Sequence, residues 1–283
     1  MGAPGEAVGG RAGAAIGYPR TMLIERIWTG NAYRNFHYLV VCPERGEALA
    51  VDPLEWRLCL DAARKRGWTI TQILNTHEHR DHTGGNAALV GATGAQLLAH
   101  AAAAARIGGV DRGLAAGDVV RVGRLELECL DTPGHTLAHV CLLAHGDRPA
   151  LFCGDTLFNA GAGNCHNGGD PERLYETFGT LLARLPDQTR IYPGHEYLVR
   201  NLEFTLDREP DNRAARELLA AVRQGEPAEA PVTRLADERR INTFLRLESP
   251  ALIERLREAF PGLGAHPDAR TVFLKLRELR NRW

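Results

Sequence analysis

The sequence predicts a chain in two parts, an α/β domain to about residue 195 and a small all-α domain after it. Three observations predict this. Short apolar, β-prone runs alternate with amphipathic helical stretches through the first two-thirds, as in a sheet covered by helices. From about Glu196 the apolar residues recur only at helical spacing. Histidines and aspartates gather just past strand ends beside glycines, where α/β folds present their sites.

The elements follow in order. Residues 1–20, "MGAPGEAVGGRAGAAIGYPR", are rich in Gly and Ala, lack a Leu-rich export segment and read as a flexible tail. "MLIERIW", "FHYLVVC" and "EALAVD" are strands, "PLEWRLCLDAARKRG" an amphipathic helix and "TITQILN" a strand. "GGNAALVGATG" starts a helix, "AQLLAH" is a strand and Ala101–Ala105 is helical filler. "DVVRVGRLELECLD" is a hairpin about Gly123, and "HVCLLAHG", "PALFCGD" and "TRIY" are further strands. "PERLYETFGTLLARL" is a helix opened by Pro171. Four helical stretches follow, "EYLVRNLEFTLDRE", "DNRAARELLAAVRQG", "SPALIERLREAF" and "HPDARTVFLKLRELRNRW". The expected division is a tail at 1–20, an α/β domain at 21–195 and a helical domain at 196–283.

Bulk properties narrow the function. The 283 residues carry 34 basic and 35 acidic groups, so charge gives no reason to expect nucleic acid or an anionic membrane as partner. No apolar run is long enough to span a bilayer. The six cysteines form no C-x-x-C pair and read as free thiols of a cytoplasmic protein, Cys165 among them as an inert one. No obligate protein partner is evident.

The chemistry sits in "NTHEHRDHTGG", where His77, His79, Asp81 and His82 crowd six positions after a strand. Such a cluster arises by chance on the order of once in a thousand chains of this composition. Residues two apart in an extended segment share a side, so His77 and His79 can face one metal. Asp81 and His82, past the bend, can face another. Three more strand ends answer the same pattern: "LDTPGHT" with His135, "LFCGDTLF" with Asp155 and "RIYPGHEY" with His195. The remaining His37, His100, His139, His145 and His266 read as ordinary histidines.

In this order, "THEHRDH", "PGHT", "GDTLF" and "PGHEY" resemble the metallo-β-lactamase superfamily, and the helical end, "LRELRNRW", is similar to glyoxalase II, the hydroxyacylglutathione hydrolases. The resemblance implies an αβ/βα sandwich with two divalent metals on the edge between its sheets. His77, His79 and His135 would hold the first and Asp81, His82 and His195 the second. Asp155 would bridge them with a hydroxide, making Asp81 and Asp155 the catalytic carboxylates. Nitrogen and carboxylate donors without thiolate suit zinc, and also iron or manganese. The implied reaction is hydrolysis of a small-molecule thioester, S-lactoylglutathione first, in methylglyoxal detoxification. A thiolate leaves without a strong general acid, which an amide nitrogen cannot do.

For the substrate, the resemblance offers a basic pair, Arg277 and Arg280, for a carboxylate, and Tyr197 near the thiol. It also marks a departure: Asn164 and His166 in "GAGNCHNGG" stand where the family has a cation and an aromatic residue. A non-glutathione thioester is therefore one alternative. A single-iron persulfide dioxygenase using His77, His135 and Asp155 is another, and a metal-binding scaffold without turnover a third.

Overall fold

Central strands buried on both faces build the architecture. The computed structural model describes residues 22–180 and 182–283; the expected tail at 1–20 lies outside them. The first sheet runs in chain order through β1 (Leu23–Trp28), β2 (Phe36–Cys42), β3 (Glu47–Val51), β4 (Thr69–Asn75), β5 (Gln96–His100) and β6 (Arg112–Leu114). Its first three strands are antiparallel and β3 to β6 are parallel. The second sheet comprises β7 (Val119–Val122), β8 (Leu125–Asp131), β9 (Val140–Ala144) and β10 (Ala150–Gly154). After a two-stranded hairpin, β11 (Leu157–Phe158) and β12 (Gly161–Ala162), it is completed by β13 (Arg190–Pro193), parallel to β10 at the edge.

Along β2, Tyr38 and Val40 point into a core shared with Val120, Leu127, Cys129, Leu142 and Phe152 of the second sheet. Leu39 and Val41 point the other way, onto α1 (Trp56–Lys65) and α3 (Asn86–Thr93), with the short α2 (Arg80–Thr83) between them. The period of two thus makes one strand fully buried on both faces. The outer face of the second sheet packs Cys141, Leu143, Leu151 and Ile191 against α5 (Pro171–Thr180) and the helical region. The order is helices, sheet, sheet, helices. A short α4 (Ala104–Ile107) follows β5.

The helical region holds α6 (Leu198–Arg208), α7 (Arg213–Val222), α8 (Leu235–Ile241), α9 (Pro250–Ala259) and α10 (Ala269–Arg280). Their starts are capped as the physics asks: Asn212, Ser249 and Asp268 each accept a backbone N–H of the first turn. Val272, Phe273 and Leu276 of α10 return to the core of the second sheet beside Leu174, Phe178 and Phe244.

Several elements differ from the sequence reading. The alanine run is a 3-10 turn at Ala101–Ala103 leading into α4. Helix α5 ends at Thr180 and a 3-10 turn takes Leu182–Arg184. The strand β6, the hairpin β11–β12 and α8 were not expected. The first two are too short for a period to show, and α8, "LADERRI", is mostly charged. No helix among the described residues is long and apolar enough to cross a membrane.

Candidate metal centre

Five strand ends converge on one edge of the sandwich. β4 leads to His77 and His79, β8 to His135, β10 to Asp155, β13 to His195, and β3 to Asp52. The edge is stitched by Val140 N–H to Thr76 O at 2.8 Å and Phe36 N–H to Gly194 O at 2.8 Å. Tyr38, buried under β13, donates its hydroxyl to Pro193 O at 2.6 Å. His79 ends the extended segment at ψ 144°, and Asp81 and His82 follow on α2, which turns their side chains onto the same edge.

His77, His79 and His135 gather first: His79 Nδ1 lies 3.0 Å from His77 Nε2 and 3.0 Å from His135 Nε2. Asp81, His82 and His195 gather second, with 3.1 Å between the Nε2 atoms of His82 and His195. Asp81 Oδ2 is 3.4 Å from His195 Nε2 and 3.7 Å from His82 Nε2. Asp155 faces both groups. Its Oδ2 is 3.4 Å from His135 Nε2 and 3.3 Å from His195 Nε2, and its Oδ1 is 3.4 Å from His82 Nε2.

Ring nitrogens at such separations repel unless something positive lies between them. The outer nitrogens show which inner ones are bare. His79 Nε2 faces Asn167 O at 2.9 Å, His135 Nδ1 faces Asn164 O at 2.6 Å and His195 Nδ1 faces Tyr33 O at 2.7 Å. A carbonyl only accepts, so each outer nitrogen carries the proton and each inner one a lone pair. His82 Nδ1 lies 3.0 Å from the Asp52 carboxylate, a charge contact that draws the proton to this outer nitrogen. The Thr76 hydroxyl donates to Asp52 Oδ2 at 2.7 Å, so its oxygen accepts from His77 Nδ1 at 3.0 Å. All five histidines turn lone pairs inward. Asp155 Oδ1 is buried there and lacks a hydrogen-bond partner among the described residues. The donor set fits divalent cations.

Electrostatics agree. Burial raises the Asp155 carboxyl, but His195, His82 and His135 outweigh it and hold the group well below the usual carboxylate range. Burial lowers His77, helped by His82, and lowers His135 to about 4, so both are neutral. Burial would also lower His82, yet Asp155 and Asp52 raise it to about 9. Without a cation, the pocket takes a proton between its carboxylates.

Two residues that sequence reading left out support the centre. Asp52 accepts Thr76 N–H at 2.8 Å and orients both His77 and His82. It too is an aspartate at a strand end, and it adopts φ 50°, a left-handed conformation that Asp tolerates better than most residues. His139, read as ordinary, is fully buried, stacks on His77 at 5.2 Å and accepts Asp155 N–H at 3.2 Å. Burial holds it well below its usual range, so it stays a neutral acceptor. His37 is likewise buried and lowered to about 3 by burial, accepting Glu55 N–H at 2.9 Å.

Around the centre, Tyr197 stacks on His195 at 5.2 Å and 6° and donates its hydroxyl to Tyr33 O at 3.3 Å. Burial raises its phenol well above the usual tyrosine range, so it remains protonated. Asn164 and His166 are exposed, and their loop serves the centre through the main-chain carbonyls of Asn164 and Asn167. Arg280 and Arg277, paired in the sequence reading, occupy different surroundings. Arg280 is partly exposed over Phe204 and Trp283 and donates to Asn201 Oδ1 at 3.3 Å. Arg277 is 4% exposed and points to backbone carbonyls. Cys165 is partly buried, and burial pushes its thiol to about 11, as an inert thiol should be.

The paired sheets with this edge site define a member of the metallo-β-lactamase superfamily, whose family model matches residues 43–195. Residues 196–283 match the model described as hydroxyacylglutathione hydrolase C-terminus. The chain belongs to the hydroxyacylglutathione hydrolase family, the glyoxalase II group of metal-dependent hydrolases. It is similar to the hydroxyacylglutathione hydrolase of Polaromonas sp., 66% identical over 93% of this chain and all of that one. The hydroxyacylglutathione hydrolase of Nitrosococcus oceani is 64% identical over the same shares. Among solved structures, ETHE1 from Myxococcus xanthus covers 92% of this chain and 98% of its own at 26% identity, with a TM-score of 0.64. TTHA1623, solved in a di-iron-bound form, covers 60% of this chain and 91% of its own at 28% identity and a TM-score of 0.51.

Proposed function

We propose that the chain hydrolyses a glutathione thioester, S-lactoylglutathione or a close relative, at a dinuclear metal centre. The observation that carries it is the set of five imidazoles, each fixed from outside with its lone pair turned into one cluster that Asp155 joins. His77, His79 and His135 would hold one ion, Asp81, His82 and His195 the other, and Asp155 both. Zinc suits these donors best, with iron or manganese as alternatives; the di-iron form of a similar structure supports keeping iron in view. When bound, such ions supply Lewis acidity and bring the pKa of water to roughly 7.

The chain's own residues do the rest. Asp155 stays ionised and Asp52 and the loop carbonyls keep the imidazoles in their accepting form. Tyr197 offers a protonated hydroxyl beside His195. Arg280 offers a partly exposed cation for a substrate carboxylate, and Asn164 and His166 are exposed on the loop whose carbonyls face His79 and His135, free to meet a substrate. A thiol leaving group with a pKa of about 8.5 departs as thiolate, so no further acid is required. We divide the work between a catalytic domain at 21–195 and a substrate-binding helical domain at 196–283. The free, mostly buried thiols suit a reducing cytoplasm.

A panel of thioesters of glutathione, coenzyme A and simple thiols, assayed for thiol release on metal-defined protein, tests this. The glutathione thioesters should lead. A preference for coenzyme A or simple thiols would overturn the substrate reading while leaving the metal chemistry. Persulfide dioxygenase chemistry would need only His77, His135 and Asp155 and leave the second ligand group idle; oxygen uptake with glutathione persulfide distinguishes it.

A further inference from the structure

Arg277 lies on α10, in the helical region, with 4% of its surface exposed. Its Nη1 donates to Ala162 O at 2.8 Å and Gly163 O at 2.9 Å, and its Nε donates to Asn281 Oδ1 at 3.0 Å. No carboxylate pairs with it among the described residues; its charge is met by carbonyl and amide oxygens. Burying a guanidinium costs several kcal/mol unless its donors are well placed. Both carbonyls take protons from the single Nη1, whose two N–H bonds are fixed in the guanidinium plane while Nε is held by Asn281; a lysine ammonium lacks that fixed plane.

The residue after Gly163 is Asn164, whose carbonyl takes the His135 Nδ1–H at 2.6 Å. The segment is tightly seated. A Cβ on Gly163 would come within 1.9 Å of Asp155 O and 3.2 Å of His135 Cβ. The same segment is clamped from α6 and α8. Asn201 donates to Asn159 O at 2.9 Å, Asn242 donates to Gly161 O at 3.0 Å, and Glu238 accepts Ala160 N–H at 2.8 Å. The helical region therefore grips residues 159–163, between Asp155 and the carbonyl that orients His135. Arg277 is the grip nearest that carbonyl.

We propose that Arg277 is a positioning residue for the metal centre: by holding the Ala162 and Gly163 carbonyls it sets the Asn164 carbonyl, and through it the ring and tautomer of His135. The proposal rests on the dinuclear reading.

The test compares full-length Arg277→Met, Arg277→Lys and Arg280→Met. Zinc per chain is followed through a graded chelator competition, and kcat and KM are measured on metal-saturated protein. Arg277→Met should release one zinc at chelator activity about 10- to 100-fold lower than wild type, the usual effect of removing support from a ligand. Its kcat should fall more than its KM rises. Arg277→Lys, which keeps the charge but not the fork, should fall between. Arg280→Met should keep wild-type zinc retention and show a raised KM. Wild-type retention in Arg277→Met with a raised KM overturns the proposal and returns Arg277 to substrate binding. If the Met variant does not fold, wild-type retention in the Lys variant overturns it equally. A wild-type chain holding a single zinc that Arg277→Met releases would sink the dinuclear reading and leave the positioning role standing.

Discussion

Replacing Asp52 by Asn should disable the centre without touching a ligand. Asn tolerates the left-handed φ of 50° at this position, so the backbone stays. The amide oxygen can keep Thr76 N–H, now at 2.8 Å. The amide NH2 falls where Oδ2 stood, facing His82 Nδ1 at 3.0 Å and the Thr76 hydroxyl at 2.7 Å. A donor now meets a donor at His82, which moves its proton to the inner nitrogen. The Thr76 hydroxyl loses its acceptor and turns its proton toward His77 Nδ1, inverting that ring as well. Two of the five lone pairs are then blocked. Losing one such support typically costs about 10- to 100-fold in metal affinity, so the combined loss should reach the upper end or beyond.

A linked pH effect follows in the metal-free chain. The His82 pKa, about 9 when folded against 6.5 as its ordinary value, is raised. Its contribution to stability is therefore present below about pH 6.5 and lost as pH rises through about 9, up to about 3 kcal/mol in all. Burial opposes this rise and Asp155 and Asp52 drive it, so Asp52→Asn should flatten the slope. Chelator competition with elemental analysis reads the first effect, and urea unfolding of metal-free protein across that window reads the second. Wild-type metal retention together with an unchanged slope would refute the reasoning.

Three further outcomes are expected. Gly194→Ala would place a Cβ 2.6 Å from Asp155 Oδ1 and 2.8 Å from His82 Cε1; misplacing these groups by about 1 Å should cost about 100-fold in kcat at nearly unchanged helical content by circular dichroism. Glu238 is raised to about 7 by burial, against four hydrogen bonds that lower it, so folding favours its protonated form. Its contribution is present below about pH 4.5 and lost as pH rises through about 7. Glu238→Gln, a mimic of the neutral acid, should remove roughly 3 kcal/mol of that fall, read as the difference between wild-type and variant unfolding curves. Phe273→Ala, which empties a fully buried ring site between Tyr175, Phe178 and Phe244, should lose about 3–5 kcal/mol in urea unfolding.

The strands were legible in continuous apolar runs such as "FHYLVVC", whose two faces serve two cores, while the sandwich came from the resemblance of the ligand motifs. The sequence carried the centre because each ligand-type residue follows a strand and a turn, a purely local signal. It could not carry the support. Asn164, Asn167 and Tyr33 act through their carbonyls, which every residue possesses, so side-chain identity is silent there. Asp52 offered the same strand-end signal as Asp155 but stood outside the histidine motifs. Arg277 and Arg280 share a helical face in sequence, yet the hairpin β11–β12 covers one and leaves the other partly open, a tertiary distinction no spacing encodes.

The most direct test of a shared dinuclear centre is metal stoichiometry in the wild-type chain and in Asp155→Ala, by elemental analysis after exhaustive dialysis. Two ions per wild-type chain and weakened retention of both in the variant are expected, because Asp155 faces both ligand groups at 3.3–3.4 Å. Two tightly held ions in Asp155→Ala, or a single ion in the wild type, would contradict it.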